Sequence, residues 1–191
     1  MANTQKICDI IIRKRVVLEQ LENKGGMDMI KAAILTISDK GAKGERVDGT
    51  GPAVRKILEN NDYKVEYYKI IPDEIDEIEK ELKYLSDELK IELVLTNGGT
   101  GFSERDVTPE ATRNVIEKYV PGIGEVMRLK SLEITTKAML SRAISGIRKK
   151  TLIINLPGSP KGAAENLSFV IPSLKHGIEI MIGKASECAR K

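Results

Sequence analysis

One local grammar recurs three times along the chain and constrains the fold more than any other feature: a short apolar run, a polar loop rich in glycine, then a helix opened by proline or a capping residue. Apolar runs without alternation suit strands buried on both faces, and strands separated by helices wind into an α/β domain. The first copy reads as a strand over Lys31–Ile37, a loop over Ser38–Gly51 and a helix from Pro52 with Val54, Ile57 and Leu58 on one stripe. Proline suits a first helical position because its missing N–H is not needed there. The second copy is Ile91–Thr96, the loop Asn97–Asp106, and a helix capped by Thr108 with Pro109 first and Val115 and Ile116 facing the core. The third is Thr151–Leu156, the turn Pro157-Gly158-Ser159-Pro160, and helical segments over Ala163–Val170 and Pro172–Ile182. If the three strands are parallel neighbours, their loops share the carboxyl edge of the sheet, where open α/β folds place ligands.

Between these copies, Tyr63–Ile71 alternates as a strand near an edge. Ile75, Ile78, Leu82, Leu85 and Leu89 then mark a long amphipathic helix, with Asp73 and Glu74 supplying negative charge at its start. Residues 122–142 read as helical and irregular in part. At 191 residues the chain holds one domain. Residues 1–26 read as an N-terminal extension, helix or strand, ahead of a domain over 27–191.

Charge and composition narrow the function. A net +3 (31 Lys+Arg against 28 Asp+Glu), with 5 Tyr, 2 Phe and no Trp, is too little charge and stacking surface to expect a nucleic-acid partner. No apolar run approaches the ~20 residues of a membrane span, so no membrane association is expected. Cys8 and Cys188 have neither zinc-site nor disulfide-framework spacing, which fits a reducing, cytoplasmic setting. His176, on a late helix, reads as structural or surface.

Three segments carry chemistry. In Thr96-Asn97-Gly98-Gly99-Thr100-Gly101-Phe102-Ser103-Glu104-Arg105-Asp106, glycines let backbone N–H groups approach an anion beside a helix start. It is not a phosphate-binding P-loop, because no Gly-Lys-Ser/Thr follows. Taken as glycines alone it reads as a tight turn, and Asp106 reads either as a helix-capping acid or as a carboxylate needing a cation beside a phosphate. Asp48, in Val47-Asp48-Gly49-Thr50-Gly51-Pro52, is by itself a cap, or one of a pair of magnesium-organising acids. The Pro157–Pro160 segment, with Lys161 after it, is equally well explained by turn chemistry.

Taken together and in order, with Pro121-Gly122-Ile123-Gly124-Glu125-Val126-Met127-Arg128, Leu140-Ser141-Arg142 and Asn155-Leu156-Pro157-Gly158-Ser159-Pro160, these segments resemble the Mog family of molybdopterin adenylyltransferases, whose fold is also that of the gephyrin G domain. The resemblance covers residues from about 30 to 183. It implies a three-layer α/β/α domain with a mostly parallel central sheet that usually forms a homotrimer. Such a domain binds molybdopterin and adenylylates it with Mg²⁺ and ATP, releasing pyrophosphate and passing the product to a molybdenum-insertion protein.

The family's two essential aspartates fall on Asp48 and Asp106, implied as catalytic and magnesium-organising. Gly98, Gly99, Thr100, Gly101, Ser103, Pro157, Gly158 and Ser159 match segments lining the pterin and nucleotide pocket. Glu125 and Arg128 lie in the family's Pro-Gly-x-Gly-Glu segment, and Arg105 and Lys161 are candidate cations. The chain departs from the pattern at Asn97, where relatives often carry threonine, and in residues 1–26.

The implied chemistry suits these residues. Two unit negative charges ~4 Å apart cost about 4 kcal/mol at an effective dielectric of 20, so joining two phosphates requires local cations and N–H donors. A phosphate monoester is already ionised at neutral pH, and no general base is needed. The alternatives are a non-catalytic pterin-binding or assembly module of the same fold, and an unrelated nucleotide-binding α/β protein. Whether molybdenum or tungsten follows downstream is left open by the sequence.

Overall fold

The computed structural model describes residues 29–184. The 1–26 extension, Cys8 and Cys188 lie outside the described residues. Strand β1 (Ile30–Ile37) is followed by the single helical turn α1 (Asp39–Ala42), α2 (Thr50–Glu59), β2 (Tyr63–Ile71), and α3 (Ile75–Lys83), which runs into a π-helical turn, Tyr84–Glu88. Then come β3 (Leu93–Asn97), α4 (Thr108–Val115), β4 (Lys118–Tyr119), α5 (Pro121–Leu132), a 3₁₀ turn (Thr136–Leu140), β5 (Ser145–Arg148), β6 (Thr151–Leu156) and α6 (Pro160–Ile182).

The strands form one six-stranded sheet in the order β2-β1-β3-β6-β5-β4. The four strands β2, β1, β3 and β6 run parallel, and β5 and β4 add an antiparallel edge. The expected strands β1, β3 and β6 are immediate parallel neighbours. Their ends are level, with Thr36 opposite Asn97 and Asn97 opposite Leu156, so the three loops leave the sheet side by side.

Side-chain alternation across the pleat sorts the core into two layers. On one face Ile34, Leu95 and Ile154 pack with Val54 and Leu58 of α2, Met127 of α5 and Leu167, Leu174 and Ile178 of α6. On the other, Leu35, Val94 and Ile153 meet Ile78, Leu82 and Leu85 of α3 and its π turn and Ala111 and Val115 of α4. This is the expected three-layer α/β/α arrangement.

Several boundaries differ from the sequence reading. α2 begins at Thr50, so Pro52 is its third residue; the start is set by Asp48, whose carboxylate takes the first N–H groups. Thr108 is the first residue of α4, not its cap, and its buried hydroxyl has no hydrogen-bond partner among the described residues. The amphipathic stripe of α3 breaks after Leu85: the π turn adds a residue to the coil, closing Leu89 N–H on Tyr84 O at 3.1 Å, and Leu89 emerges exposed. The two expected C-terminal helical segments are one helix, α6, with Pro172 inside it. The β4–β5 edge was not anticipated.

Outside glycine, left-handed φ occurs among the described residues only at Asp62 (63°), Lys90 (52°) and Lys149 (50°), in the turns entering β2, β3 and β6. Glycine supplies it at Gly98 (109°) and Gly99 (61°), where the chain leaves β3.

Candidate active site

The three neighbouring loops enclose a cleft of about 500 Å³ at the carboxyl edge of the sheet. Asp48, Gly98, Gly99, Asp106, Gly158 and Ser159 all line it, so segments far apart in sequence converge here. A second cleft of about 320 Å³ lies across the glycine loop, lined by Thr100, Gly101, Arg128, Pro157 and, again, Ser159.

Asp48 is held from every side. Thr50 N–H donates to its Oδ1 at 2.7 Å, and Gly51 N–H lies 3.2 Å from both oxygens. The hydroxyls of Thr36, at the end of β1, and Tyr68, on the edge strand β2, donate to Oδ2 at 2.6 and 2.7 Å. Burial pushes the Asp48 pKa up, but these hydrogen bonds outweigh it and hold the carboxyl below its ordinary range. The Tyr68 phenol is pushed up to about 12, by burial first and by its bond to Asp48 second. Gly51 makes the approach possible: a Cβ there would stand 2.4 Å from the Tyr68 ring and 2.7 Å from Asp48 Oδ2.

The glycine loop is shaped by contacts as tight. A Cβ on Gly98 would sit 2.5 Å from the Ile37 carbonyl oxygen, and one on Gly99 2.3 Å from Thr108 Oγ1. Gly98 N–H is used by Leu156 O at 3.1 Å, whereas the N–H groups of Gly99, Thr100, Gly101 and Phe102 make no hydrogen bond among the described residues. Consecutive N–H groups left without partners in a turn offer the donors of an anion nest. The amino ends of α2 and α6 adjoin it; Thr50 Oγ1 bonds Gly158 O at 2.8 Å, and Ser159 caps α6 by accepting from Gly162 N–H.

Asp106 accepts Ser103 N–H on Oδ2 at 2.8 Å, and Ser103 lines a shallow depression beside it. Among the described residues no group of three or more carboxylate, imidazole or thiolate side chains could hold a metal ion. A magnesium ion that arrives on a nucleotide needs less, because phosphate oxygens and waters fill most of its shell. Asp106 fits that role, its Oδ1 accepting no hydrogen bond among the described residues. Asp48, its oxygens engaged by four donor groups, fits only through water ligands of such an ion.

Besides Ser103, three expected contacts lie in neither cleft. Arg105 commits its fork to Asp39, with Nε at 3.0 Å and Nη2 at 2.9 Å, and to Glu74 at 2.8 Å. Lys161 is solvent-exposed beside Glu165, and Glu125 is exposed on α5. His176 is exposed on α6.

Residues to which the sequence reading gave no part in the site complete it. Asp73, after β2, lines the first cleft, and its carboxylate takes Asp39 N–H at 2.8 Å while Asp39 takes Asp73 N–H at 3.1 Å. Burial, with the charges of Asp39 and Asp106 adding to it, raises the Asp73 pKa despite the bond from Asp39. The available signal was topological: β2 is parallel to β1, so its exit shares the same edge. Asn97, which is 1% exposed, directs Nδ2 at Thr36 Oγ1 at 3.5 Å, continuing the chain Asn97–Thr36–Asp48, and the β3 exit is again the signal.

Residues 33–176 match the family described as "Probable molybdopterin binding domain". A molybdopterin adenylyltransferase of Helicobacter pylori is 42% identical over 169 residues, covering 86% of this chain and 95% of that protein. Gephyrin of Dictyostelium discoideum is 42% identical over 161 residues, 79% of this chain but 22% of gephyrin. Among solved structures, the molybdopterin biosynthesis enzyme MoaB of Thermus thermophilus superposes with a TM-score of 0.79 at 48% identity, over 83% of this chain and 100% of that one. With the family pattern spanning β1 to α6 and relatives this similar along most of its length, the chain belongs to the molybdopterin-binding family.

Proposed function

We propose that this protein is a molybdopterin adenylyltransferase: it transfers AMP from Mg·ATP to the terminal phosphate of molybdopterin and releases pyrophosphate. A monoester oxygen of molybdopterin attacks the α-phosphorus, the bond from that phosphorus to the bridging oxygen of the β-phosphate breaks, and the electron pair leaves on pyrophosphate. The reading is supported by relatives that carry this activity in their names. The observation that carries it is Asp48 and Asp106 in one cleft beside unbonded N–H groups.

In this reading the N–H groups of Gly99 to Phe102 and the amino ends of α2 and α6 hold phosphate oxygens. Asp106 would hold the cation that accompanies ATP, and Asp48, kept ionised, fixes the loop entering α2 and would hold that ion through its water ligands. When bound, magnesium neutralises charge on the reacting phosphates. Arg128, Lys137 and the hydroxyls of the second cleft suit the anionic group of the other substrate.

The assembly we propose is a homotrimer. It is supported by apolar side chains left exposed on α5 and after it, Val126, Leu129, Leu132 and Ile134, with Met139 and Leu140 beyond. The adenylylated pterin passes to a molybdenum-insertion protein, and the setting is the cytoplasm; among the described residues no helix is long and apolar enough to cross a membrane. Residues 27–191 form the catalytic domain, and 1–26 an extension to it.

The test is pyrophosphate release from purified protein with Mg·ATP, with and without molybdopterin. Release that requires the pterin is expected. No release with both substrates demonstrably bound overturns the reading.

A further inference from the structure

Arg142 takes no part in the chemistry just described, yet it holds the glycine loop at several points at once. Its Nε donates to Gly101 O at 2.6 Å, its Nη2 donates to Asp106 O, and its Nη1 pairs with the Glu110 carboxylate. Its own backbone N–H donates to Thr100 O at 3.0 Å. The carbonyls of Thr100, Gly101 and Asp106 are thus all drawn to one residue.

In a planar trans peptide, the C=O of one residue and the N–H of the next point in opposite directions. Drawing the Thr100 and Gly101 carbonyls toward Arg142 therefore aims the N–H groups of Gly101 and Phe102 away from it. Those two belong to the set with no partner among the described residues. The bond to Asp106 O also fixes the backbone from which that carboxylate projects. A planar guanidinium reaches three acceptors from three nitrogens held in a fixed fork, whereas an ammonium group offers its three donors from a single atom.

We infer that Arg142 is a positioning residue: its fork on Gly101 O, Asp106 O and Glu110 sets the glycine loop as a phosphate seat and orients Asp106, while touching no substrate. The kinetic part of this rests on the adenylyl-transfer reading; the binding part rests on the N–H nest alone.

The test compares wild type, Arg142→Ala and Arg142→Lys by calorimetric titration with Mg·ATP, by pyrophosphate release with molybdopterin, and by thermal unfolding. Arg142→Ala is expected to bind Mg·ATP about 10-fold or more weakly and to turn over about 100-fold more slowly, the scale of losing charge-assisted bonds that shape an oxyanion site. Arg142→Lys is expected to recover little of either, and methylguanidinium to restore part of the nucleotide affinity of Arg142→Ala. Affinity and rate within about threefold of wild type in Arg142→Ala, well under the tenfold that 1.4 kcal/mol brings, overturn the inference. Full recovery in Arg142→Lys also overturns it, since charge alone would then suffice. Should Arg142→Ala not fold, Arg142→Lys against wild type decides by the same two quantities. If wild type binds Mg·ATP but never releases pyrophosphate, the adenylyl-transfer reading falls, and the titrations still judge Arg142.

Discussion

Replacing Asp48 separates its structural duty from the catalytic one proposed for it, because the alanine and asparagine variants remove different parts of its environment. Asp48→Ala deletes the acceptor for Thr50 and Gly51 N–H, the loss of a helix cap, which costs about 1 kcal/mol. It also strands the Thr36 hydroxyl, 6% exposed, for about 1–3 kcal/mol more, whereas Tyr68, 40% exposed, turns to water at little cost. The total is about 3 kcal/mol, and at ~2–4 °C per kcal/mol for a domain this size, Tm falls by about 10 °C.

Asp48→Asn keeps Oδ1 for the helix N–H groups, and its amide faces two hydroxyls that turn to accept, so the loss is about 1 kcal/mol, the difference between charged and neutral hydrogen bonds. Turnover behaves differently. Both variants lose the carboxylate charge, and both are expected to lose about 100-fold or more in pyrophosphate release, the scale of removing one electrostatic group from a reacting site. Thermal unfolding and pyrophosphate release on the same preparations give the comparison. Wild-type turnover in Asp48→Asn would refute the reasoning, reducing Asp48 to a cap.

Asp106→Asn still accepts Ser103 N–H, so stability should stay within about 1 kcal/mol while pyrophosphate release drops about 100-fold; equal activity removes Asp106 from the mechanism. Gly98→Ala forces a side chain onto φ 109° and to 2.5 Å from Ile37 O, costing about 2–5 kcal/mol in urea unfolding, while Gly122→Ala, with nothing within 4 Å, stays within about 1 kcal/mol of wild type. Asp48, Asp87 and Asp39 all have folded pKa values below the ordinary 3.8, Asp87 chiefly through Arg148 and Asp39 chiefly through Arg105. Each therefore contributes stability above 3.8 that is lost as pH falls through its folded value. The urea midpoint should decline below that pH and decline less in Asp87→Asn; an unchanged acid limb in that variant contradicts the assignment.

The buried strands were legible because an unbroken apolar run such as Ile34-Leu35 or Ile153-Ile154 has few other uses, and because glycine-rich exits punctuate them. Asp48 and Asp106 were legible for the same reason, each lying in a strand-to-helix loop. Helix starts were less so: at Asp48 the cap lies two residues before the helix, and at Thr108 a residue of capping type is already helical. The β4–β5 pair is too short to alternate, with Lys118 and Tyr119 both exposed. Asp73 was read only as charge at a helix start and Arg142 only as part of a motif; their contacts, and that of Tyr68, act across the fold, Tyr68 from the edge strand, Asp73 from the β2 exit, and Arg142 after the turn that follows α5.

The placement of backbone strain divides the molecule by purpose. Asp62, Lys90 and Lys149, ordinary residues in left-handed conformations, all stand at the end of the sheet opposite the cleft, where a glycine would relieve the strain. Reserves of stability therefore lie at one pole of the domain and chemistry at the other, so a thermostabilised version can be built from the quiet pole without disturbing a single group at the working one.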